Sequence, residues 1–377
     1  MDEKIKKFEC PFKKGDVITP DQAMALAIDV AKLGASYVSP NPLVGCVVVN
    51  DRHEFIDYGF HKKYGQGHAE IEALKKLTET EIKNATFYVT LEPCAHEGKT
   101  PSCAKTLAKL PIKKVVYGLI DPNPLVSGQG AQILMDAGVA TEEYQGPLKE
   151  DLTEVCEVFL KNFTQKKVFV AMKVASSLDG QIALKSGESK WITSEASREY
   201  VHELRSFYDA IIVGRNTIEI DDPSLNIRHP TIEKENKVIV IDSSAKILKQ
   251  IIDGKGFKFL QNHRKENIFF AVHKKNEQSD YSQIEFSNLK ELLEKMYLLG
   301  MRSAFIEGGA NTYSEFLKSE LVDRLYLFMA SSLIGADNGV SWTKDFSIQQ
   351  LARRPRIKNV KTRIFAPDIL ITGRMYK

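Results

Sequence analysis

The chain has 377 residues, which is too long for a single hydrophobic core and implies two domains. Its 52 basic and 49 acidic residues leave a net charge of +3, too even for a nucleic-acid coat, while 43% hydrophobic and 27% charged content fits a soluble globular protein. No apolar run reaches the roughly 20 residues that span a bilayer, and five cysteines are too few and odd in number for a disulfide framework.

The start, MDEKIKKFECPFKKGD, lacks the apolar stretch of a secretory signal, so a cytoplasmic location is expected and residues 1–16 read as a solvated tail. TPDQAMALAIDVAKLG reads as a helix: Thr19 caps it, Pro20 suits its first position, Gln22 completes a capping box and Gly34 ends it. LVGCVVVN is a short β-branched run and predicts a buried strand. A helix follows from near Ala69, a strand over 85–92, a helix after Thr100-Pro101, the strand KKVVYGLI and the helix GAQILMDAG. This alternation predicts a mainly parallel sheet covered on both faces.

A polar helix over about 148–163 ends in TQKK, and the domain change is placed at that helix, giving domains 1–147 and 148–377. The β/α pattern then restarts. VFVAMKVA, DAIIVG, KVIVID, NIFFAV, SAFIEG, VDRLYLFMA and PDILITG read as strands, with helices at about 195–206, 289–299 and 311–318. The segments 230–236 and 251–265 read as polar loops or edges.

The chemistry concentrates in three pieces. His68-Ala69-Glu70 sits at a helix start, Pro93-Cys94 at a strand end, and Cys103 in the first turn of the next helix. One His and two Cys make three metal ligands, which leaves a fourth tetrahedral position for water and points to a catalytic Zn2+. Helix N-termini also favour the thiolates. Glu70 stands two residues from the ligand His68, near enough to carry a proton without being a ligand. H-x-E followed by P-C and C is the pattern of zinc deaminases of pyrimidine- and purine-type rings, although eight residues separate these two cysteines instead of two. A structural zinc remains the alternative; it needs a fourth ligand, for which His61 and His96 are the nearby candidates. His96 and Glu97 read as exposed loop residues.

HAE, VTLEPCAHEGKTPSC, DPNPLVSGQG and SPNPLVGCVVV closely resemble the deaminase half of the bacterial bifunctional riboflavin-biosynthesis deaminase–reductases, including the wide cysteine spacing. Ala95 and Ser102 depart from that family's commonest form, at positions that bind no metal. The resemblance implies that Asn41 meets the pyrimidine or ribose, and that His61, Lys99, Asp121 and Asn123 contact the ribosyl phosphate end. On its own, Asp121-Pro-Asn-Pro reads as a simple turn.

The second half has no G-x-G-x-x-G. Its nearest feature is FIEGGANTYSEFL, an apolar strand running through Gly308-Gly309 into a helix, where backbone N–H groups can hold a phosphate. MKVASSLDGQIA, GESKWITS, VGRNTIEIDDPSLNIR and this glycine turn resemble, in this order, the reductase half of the same family. The implied fold is α/β, a cytidine-deaminase-like three-layer domain followed by a dihydrofolate-reductase-like domain. The implied NADPH contacts are Ala175, Trp191, Thr217, Asp221, Ser243 and the Gly309, Ala310, Asn311, Thr312 turn. The implied substrate contacts are Ser189, Arg205, Leu225, Arg228 and Glu307. Arg205 and Arg228 also suit a phosphate because a guanidinium binds it bidentately. Lys173 is a candidate for electrostatic support.

The resemblance implies two consecutive steps: hydrolytic deamination of a ribosylated diaminopyrimidine phosphate, then reduction of its ribose to a ribityl chain. It also implies a homo-oligomer, a dimer or tetramer. Two rivals stand beside it: a tRNA or nucleoside deaminase with an unrelated second domain, and a zinc-stabilised binding protein without turnover. The near-neutral charge speaks against an RNA partner.

Overall fold

The computed structural model describes residues 8–97, 101–123 and 127–376. The chain divides into two compact units, Met1–Lys166 and Lys167–Lys377.

The first unit runs α1 (Pro20–Ala31), β1 (Gly45–Val49), β2 (Phe55–Phe60), α2 (Ala69–Leu74), α3 (Glu79–Ile82), β3 (Thr86–Leu91), α4 (Cys103–Leu107), β4 (Lys114–Leu119), α5 (Gln129–Asp136), β5 (Ala140–Glu143), α6 (Lys149–Val155) and α7 (Glu157–Gln165). The capping box at Thr19 and Gln22 forms as its residues dictate. The sheet order is β2-β1-β3-β4-β5. β3, β4 and β5 are parallel, whereas β1 runs antiparallel to both β2 and β3. The expectation of a mainly parallel sheet therefore applies to its second half. β1 leads into β2 through a tight turn at Asp51-Arg52, which only an antiparallel pair permits.

Alternate strand residues face opposite sides, and this builds three layers. Val47, Val49, Tyr88 and Val116 pack with α1 and with Leu152 of α6. Cys46, Val48, Phe87, Val89 and Val115 pack with residues of α2, α4 and α5. The predicted single helix over 148–163 is two helices that break at Cys156. Cys156 packs with Ala31 and Val155, which binds this pair to the first unit.

The second unit runs β6 (Phe169–Ser176), β7 (Gln181–Leu184), α8 (Glu195–Phe207), β8 (Ala210–Gly214), α9 (Arg215–Asp221), β9 (Lys237–Ile241), α10 (Lys246–Ile252), α11 (Lys258–Asn262), β10 (Ile268–Val272), β11 (Ser282–Glu285), α12 (Leu289–Leu298), β12 (Ser303–Ile306), α13 (Ala310–Lys318), β13 (Arg324–Met329), β14 (Gly339–Ser341), β15 (Arg356–Phe365) and β16 (Asp368–Tyr376). Nine strands form one sheet in the order β11-β10-β9-β8-β12-β6-β13-β16-β15. Strands β11 through β13 of that order are parallel, and the β15–β16 hairpin closes the edge antiparallel. Its two faces again divide by alternation: Ala210, Ile212 and Ile239 on one side, Ile211, Val213, Val238 and Val240 on the other.

The segment 251–265, expected to be polar loop, contains α11 and buries Phe257 and Phe259. Two aromatics amid lysines and glycines give too little periodicity to reveal this; their burial is set by Phe270 across the core.

Candidate active sites

In the first unit, β3 ends at Leu91 and delivers Cys94, α2 begins after His68, and α4 begins at Cys103. Three element ends thus bring His68, Cys94 and Cys103 together, with one ligand atom of each within 4.8 Å of the others. The Cys94 and Cys103 Sγ atoms lie 3.5 and 3.4 Å from His68 Nδ1. The backbone N–H of Cys103 donates to Cys94 Sγ at 3.3 Å. Hydrogen bonding from Cys103 is the main reason the Cys94 thiol falls to about 4, and the negative Cys94 in turn pushes Cys103 up. An imidazole and two thiols in a partly buried, convergent set suit zinc, and they leave a tetrahedral ion one open position.

Glu70 lies in the first turn of α2, 2% exposed. Burial, and then the charge of Cys94, raise its pKa above the usual carboxylate range. Its carboxyl hydrogen-bonds the Cys103 side chain, which places it against the ligand set. A carboxyl with its proton affinity raised is suited to take up and return a proton.

Two expected substrate residues adjoin this set. The Asn41 side-chain nitrogen lies 3.1 Å from His61 Nε2, and His61 Nδ1 lies 3.0 Å from the Gly67 carbonyl. Nδ1 must therefore donate and Nε2 accept, a neutral tautomer that burial also favours. The His61 ring stands edge-on to His68, with centroids 5.3 Å apart. Asp121 is buried near Cys94, and its Oδ1 accepts the backbone N–H of Asn123 at 2.8 Å. Both the turn reading and the site reading of Asp121 are thus compatible with its geometry. Lys99 lies outside the described residues. His96 and Glu97 are exposed, and Glu97 pairs with Lys105.

Sequence reasoning assigned no role to Glu92. It is 4% exposed and accepts backbone N–H bonds from Asp121 (3.2 Å), Gly128 (3.0 Å) and Ala131 (3.1 Å). Two residues before Cys94, it ties the exit of β4 and the first turn of α5 to the metal-ligand strand. A lone charged residue ending the apolar run YVTL was the available signal.

In the second unit, the glycine turn lies between β12 and α13. Gly308 has φ +122, open only to glycine without strain. A Cβ at Gly309 would lie 3.3 Å from Thr217 Oγ1, and a Cβ at Gly214 would collide with the Thr312 hydroxyl. Thr217, Gly309 and Thr312 therefore gather where β8 and β12 end, with Ala310 and Asn311 in the first turn of α13. Ser189 Oγ donates to Asp221 Oδ1 at 2.8 Å, joining one expected substrate contact to one expected cofactor contact. Ser243 lies just past β9, its neighbour Ser244 accepting from Arg215 at 2.8 Å. Trp191 is 70% exposed and carries the Arg198 guanidinium 4.2 Å above its ring, which leaves the opposite ring face open for a planar partner. Ala175 sits in β6. A glycine turn with neighbouring hydroxyls at a helix N-terminus is a suitable cradle for a dinucleotide's phosphates.

Arg205 and Glu307 form a forked ion pair: Nε and Nη2 each donate to one carboxylate oxygen, the second at 2.9 Å, with side chains 11% and 7% exposed. Burial pushes Glu307 up, but the charge and hydrogen bonds of Arg205 together with the charge of Lys173 outweigh it, and the net pKa is lowered. Burial lowers Lys173, and the nearby Glu307 opposes that shift. Arg205 Nη1 also donates to the Asn226 carbonyl at 2.7 Å, so most of its fork is engaged within the protein. Arg228 spends one nitrogen on Asn226 Oδ1 at 2.9 Å and is exposed. Of the two arginines expected at a phosphate, Arg228 is the one turned outward.

Residues 18–119 match the cytidine and deoxycytidylate deaminase zinc-binding region, and residues 168–371 match the RibD C-terminal domain. The chain is 34% identical to riboflavin biosynthesis protein RibD of Aquifex aeolicus, covering 94% of this chain and 98% of that protein. It is 36% identical to the Actinobacillus pleuropneumoniae protein of the same name, over 97% of each. Among solved structures, Acinetobacter baumannii RibD superposes with TM-score 0.80 at 35% identity, covering 95% of this chain and 99% of that one. The Thermotoga maritima diaminohydroxyphosphoribosylaminopyrimidine deaminase/5-amino-6-(5-phosphoribosylamino)uracil reductase superposes with TM-score 0.81 at 33% identity, covering 94% and 98%.

Proposed function

The chain belongs to the RibD family of bifunctional riboflavin-biosynthesis deaminase–reductases, and from that premise we propose the substrate and the residues of each step. The first unit carries the zinc-dependent deaminase and the second the NADPH-dependent reductase. The substrate of the first step is 2,5-diamino-6-(5-phosphoribosylamino)pyrimidin-4(3H)-one. Reduction of the deaminated product gives 5-amino-6-(5-phosphoribitylamino)uracil.

His68, Cys94 and Cys103 would hold the zinc, which supplies a water activated at neutral pH. Glu70 takes a proton at its carboxyl and returns one to the departing amino group; the raised pKa of a buried carboxyl supports this role. Asn41, oriented by His61, meets the pyrimidine or ribose. His61, Asp121, Asn123 and Lys99 serve the ribosyl phosphate end.

NADPH supplies a hydride when bound at the glycine turn. Ala175, Trp191, Thr217, Asp221, Ser243 and the 309–312 turn hold it. Ser189, Arg205, Leu225, Arg228 and Glu307 hold the substrate, with Arg228 on the phosphate. Lys173, beside Glu307, adds positive charge near the ribose. We also propose a cytoplasmic homo-oligomer, dimer or tetramer; the exposed apolar Val360 and Ile364 on the edge strand β15 support an assembly. No helix among the described residues is long and apolar enough to cross a membrane.

The convergence of His68, Cys94 and Cys103 beside buried Glu70 carries the deaminase assignment. Ammonia release from the diaminopyrimidine tests it, for wild type and Glu70→Gln. The variant is expected to keep its zinc and lose about 10²- to 10⁴-fold in rate. Zinc retained with undiminished ammonia release would remove Glu70 from the reaction.

A further inference from the structure

One buried imidazole of the second unit has no part in the reaction as assigned. His202 lies on α8, three residues before Arg205, and is 9% exposed. Its Nδ1 faces the backbone N–H of Arg228 at 3.1 Å and Arg205 Nη1 at 3.4 Å. Both partners are donors only, so Nδ1 carries no proton and the ring proton sits on Nε2. Burial first, then the charges of Arg205 and Arg228, bring its pKa down to about 4. The ring is neutral at pH 7 and acts as an acceptor.

What it holds is the segment 224–228. Leu225 has φ +56, a left-handed conformation that a bulky residue keeps only where its surroundings impose it. Those surroundings are specific. The Leu225 side chain is buried in the core. His263 Nε2 lies 3.2 Å from the Ser224 carbonyl, and Arg205 Nη1 holds the Asn226 carbonyl. His202 holds the next link, the N–H of Arg228. From that anchored backbone the Arg228 side chain reaches outward, braced by Asn226 Oδ1.

We infer that His202 is a positioning residue of the reductase: its unprotonated Nδ1 fixes the Arg228 backbone against the Arg205–Glu307 pair and so holds the Arg228 guanidinium where the substrate phosphate meets it. This rests on the assignment of Arg228 to that phosphate. The Arg228 contact has no local sequence signature, since His202 and Arg228 are far apart in the chain.

The test uses the full-length protein and follows NADPH oxidation with the deaminated substrate and with its dephosphorylated counterpart. His202→Leu removes the acceptor. His202→Gln keeps a buried amide but moves its acceptor beyond Arg228, and His202→Asn keeps an acceptor near the Nδ1 position. Leu and Gln are expected to raise KM for the phosphorylated substrate about five- to tenfold, the worth of a lost buried hydrogen bond. Their kcat, their KM for NADPH and their KM for the dephosphorylated substrate stay at wild-type values, and Asn restores KM to within about threefold. An unchanged KM in the Leu and Gln variants overturns the inference, as does an equal rise for both substrates. Arg228→Ala separates the two levels. If it raises KM for the phosphorylated substrate and the His202 variants do not, only the role of His202 falls. If Arg228→Ala changes nothing, the phosphate assignment falls and the inference falls with it.

Discussion

Glu92→Gln puts the link between fold and deaminase site under direct strain. The carboxylate accepts three backbone N–H groups from inside the protein, Asp121 and Gly128 on Oε2 and Ala131 on Oε1. The amide keeps one accepting oxygen. Its NH₂ group must then face either Ala131 alone or both Asp121 and Gly128, so at least one buried donor loses its partner and a donor meets a donor. An unsatisfied buried donor costs about 1–3 kcal/mol. The anion at the first turn of α5 is lost as well, worth about 0.3–1 kcal/mol. A total of about 3 kcal/mol lowers the melting temperature of a unit of this size by roughly 6–12 °C. The exit of β4 and α5 would shift relative to Cys94, so deaminase kcat/KM falls while reduction of the deaminated substrate is untouched. Calorimetry and the two separate activity assays check this. A melting temperature within about 1 °C of wild type, with full deaminase activity, would refute the reasoning.

Arg205→Lys cannot reproduce the two-pronged contact with Glu307 and leaves that buried carboxylate short of a donor. Breaking such a pair costs about 3–5 kcal/mol, to be read as a lower denaturant midpoint for the second unit with the first unit's transition in place. His202 also sets a pH dependence. Its folded pKa of about 4 lies below the ordinary histidine value near 6.5, so the unfolded chain binds the proton first. Stability from this group is complete above about pH 6.5 and is lost as pH falls toward 4. Denaturant midpoints of wild type at pH 7 and pH 5 should differ by more than those of His202→Asn, and equal differences would contradict the shift.

The metal-ligand set was legible because its chemistry has few alternatives and each piece sits at an element end that local residues mark. Thr100-Pro101 announces α4, and the structure adds a Ser102 cap that the sequence reading did not name. Strand–helix alternation marked a sheet covered on both faces in the first unit and seven of the nine strands of the second unit's main sheet; the three-layer and dihydrofolate-reductase-like folds came from the resemblance. What escaped was set by partners far along the chain. β2 reads FIDYGF, a weak pattern that becomes a strand through its antiparallel partner β1. The edge strand β15 is mostly exposed and mixes charged with apolar residues without strict alternation, and only pairing with β16 defines it. The Arg205–Glu307 pair and the His202 contact join residues that no spacing connects. Glu92 showed its charge but not its three partners. The cofactor and substrate contacts proposed for the second unit rest on resemblance, since a glycine turn before a helix is common by itself.

The central claim is that one chain carries both steps, in the order deamination then reduction. The most direct test follows NADPH absorbance in the full-length protein with and without a zinc chelator, offering either the diaminopyrimidine ribosyl phosphate or its deaminated product. The account predicts that the untreated protein consumes NADPH with both. After chelation it consumes NADPH only with the deaminated product, because the His68, Cys94 and Cys103 cluster lies in the first unit. NADPH consumption from the diamino substrate after complete zinc removal, or none with the deaminated product before it, would contradict the account.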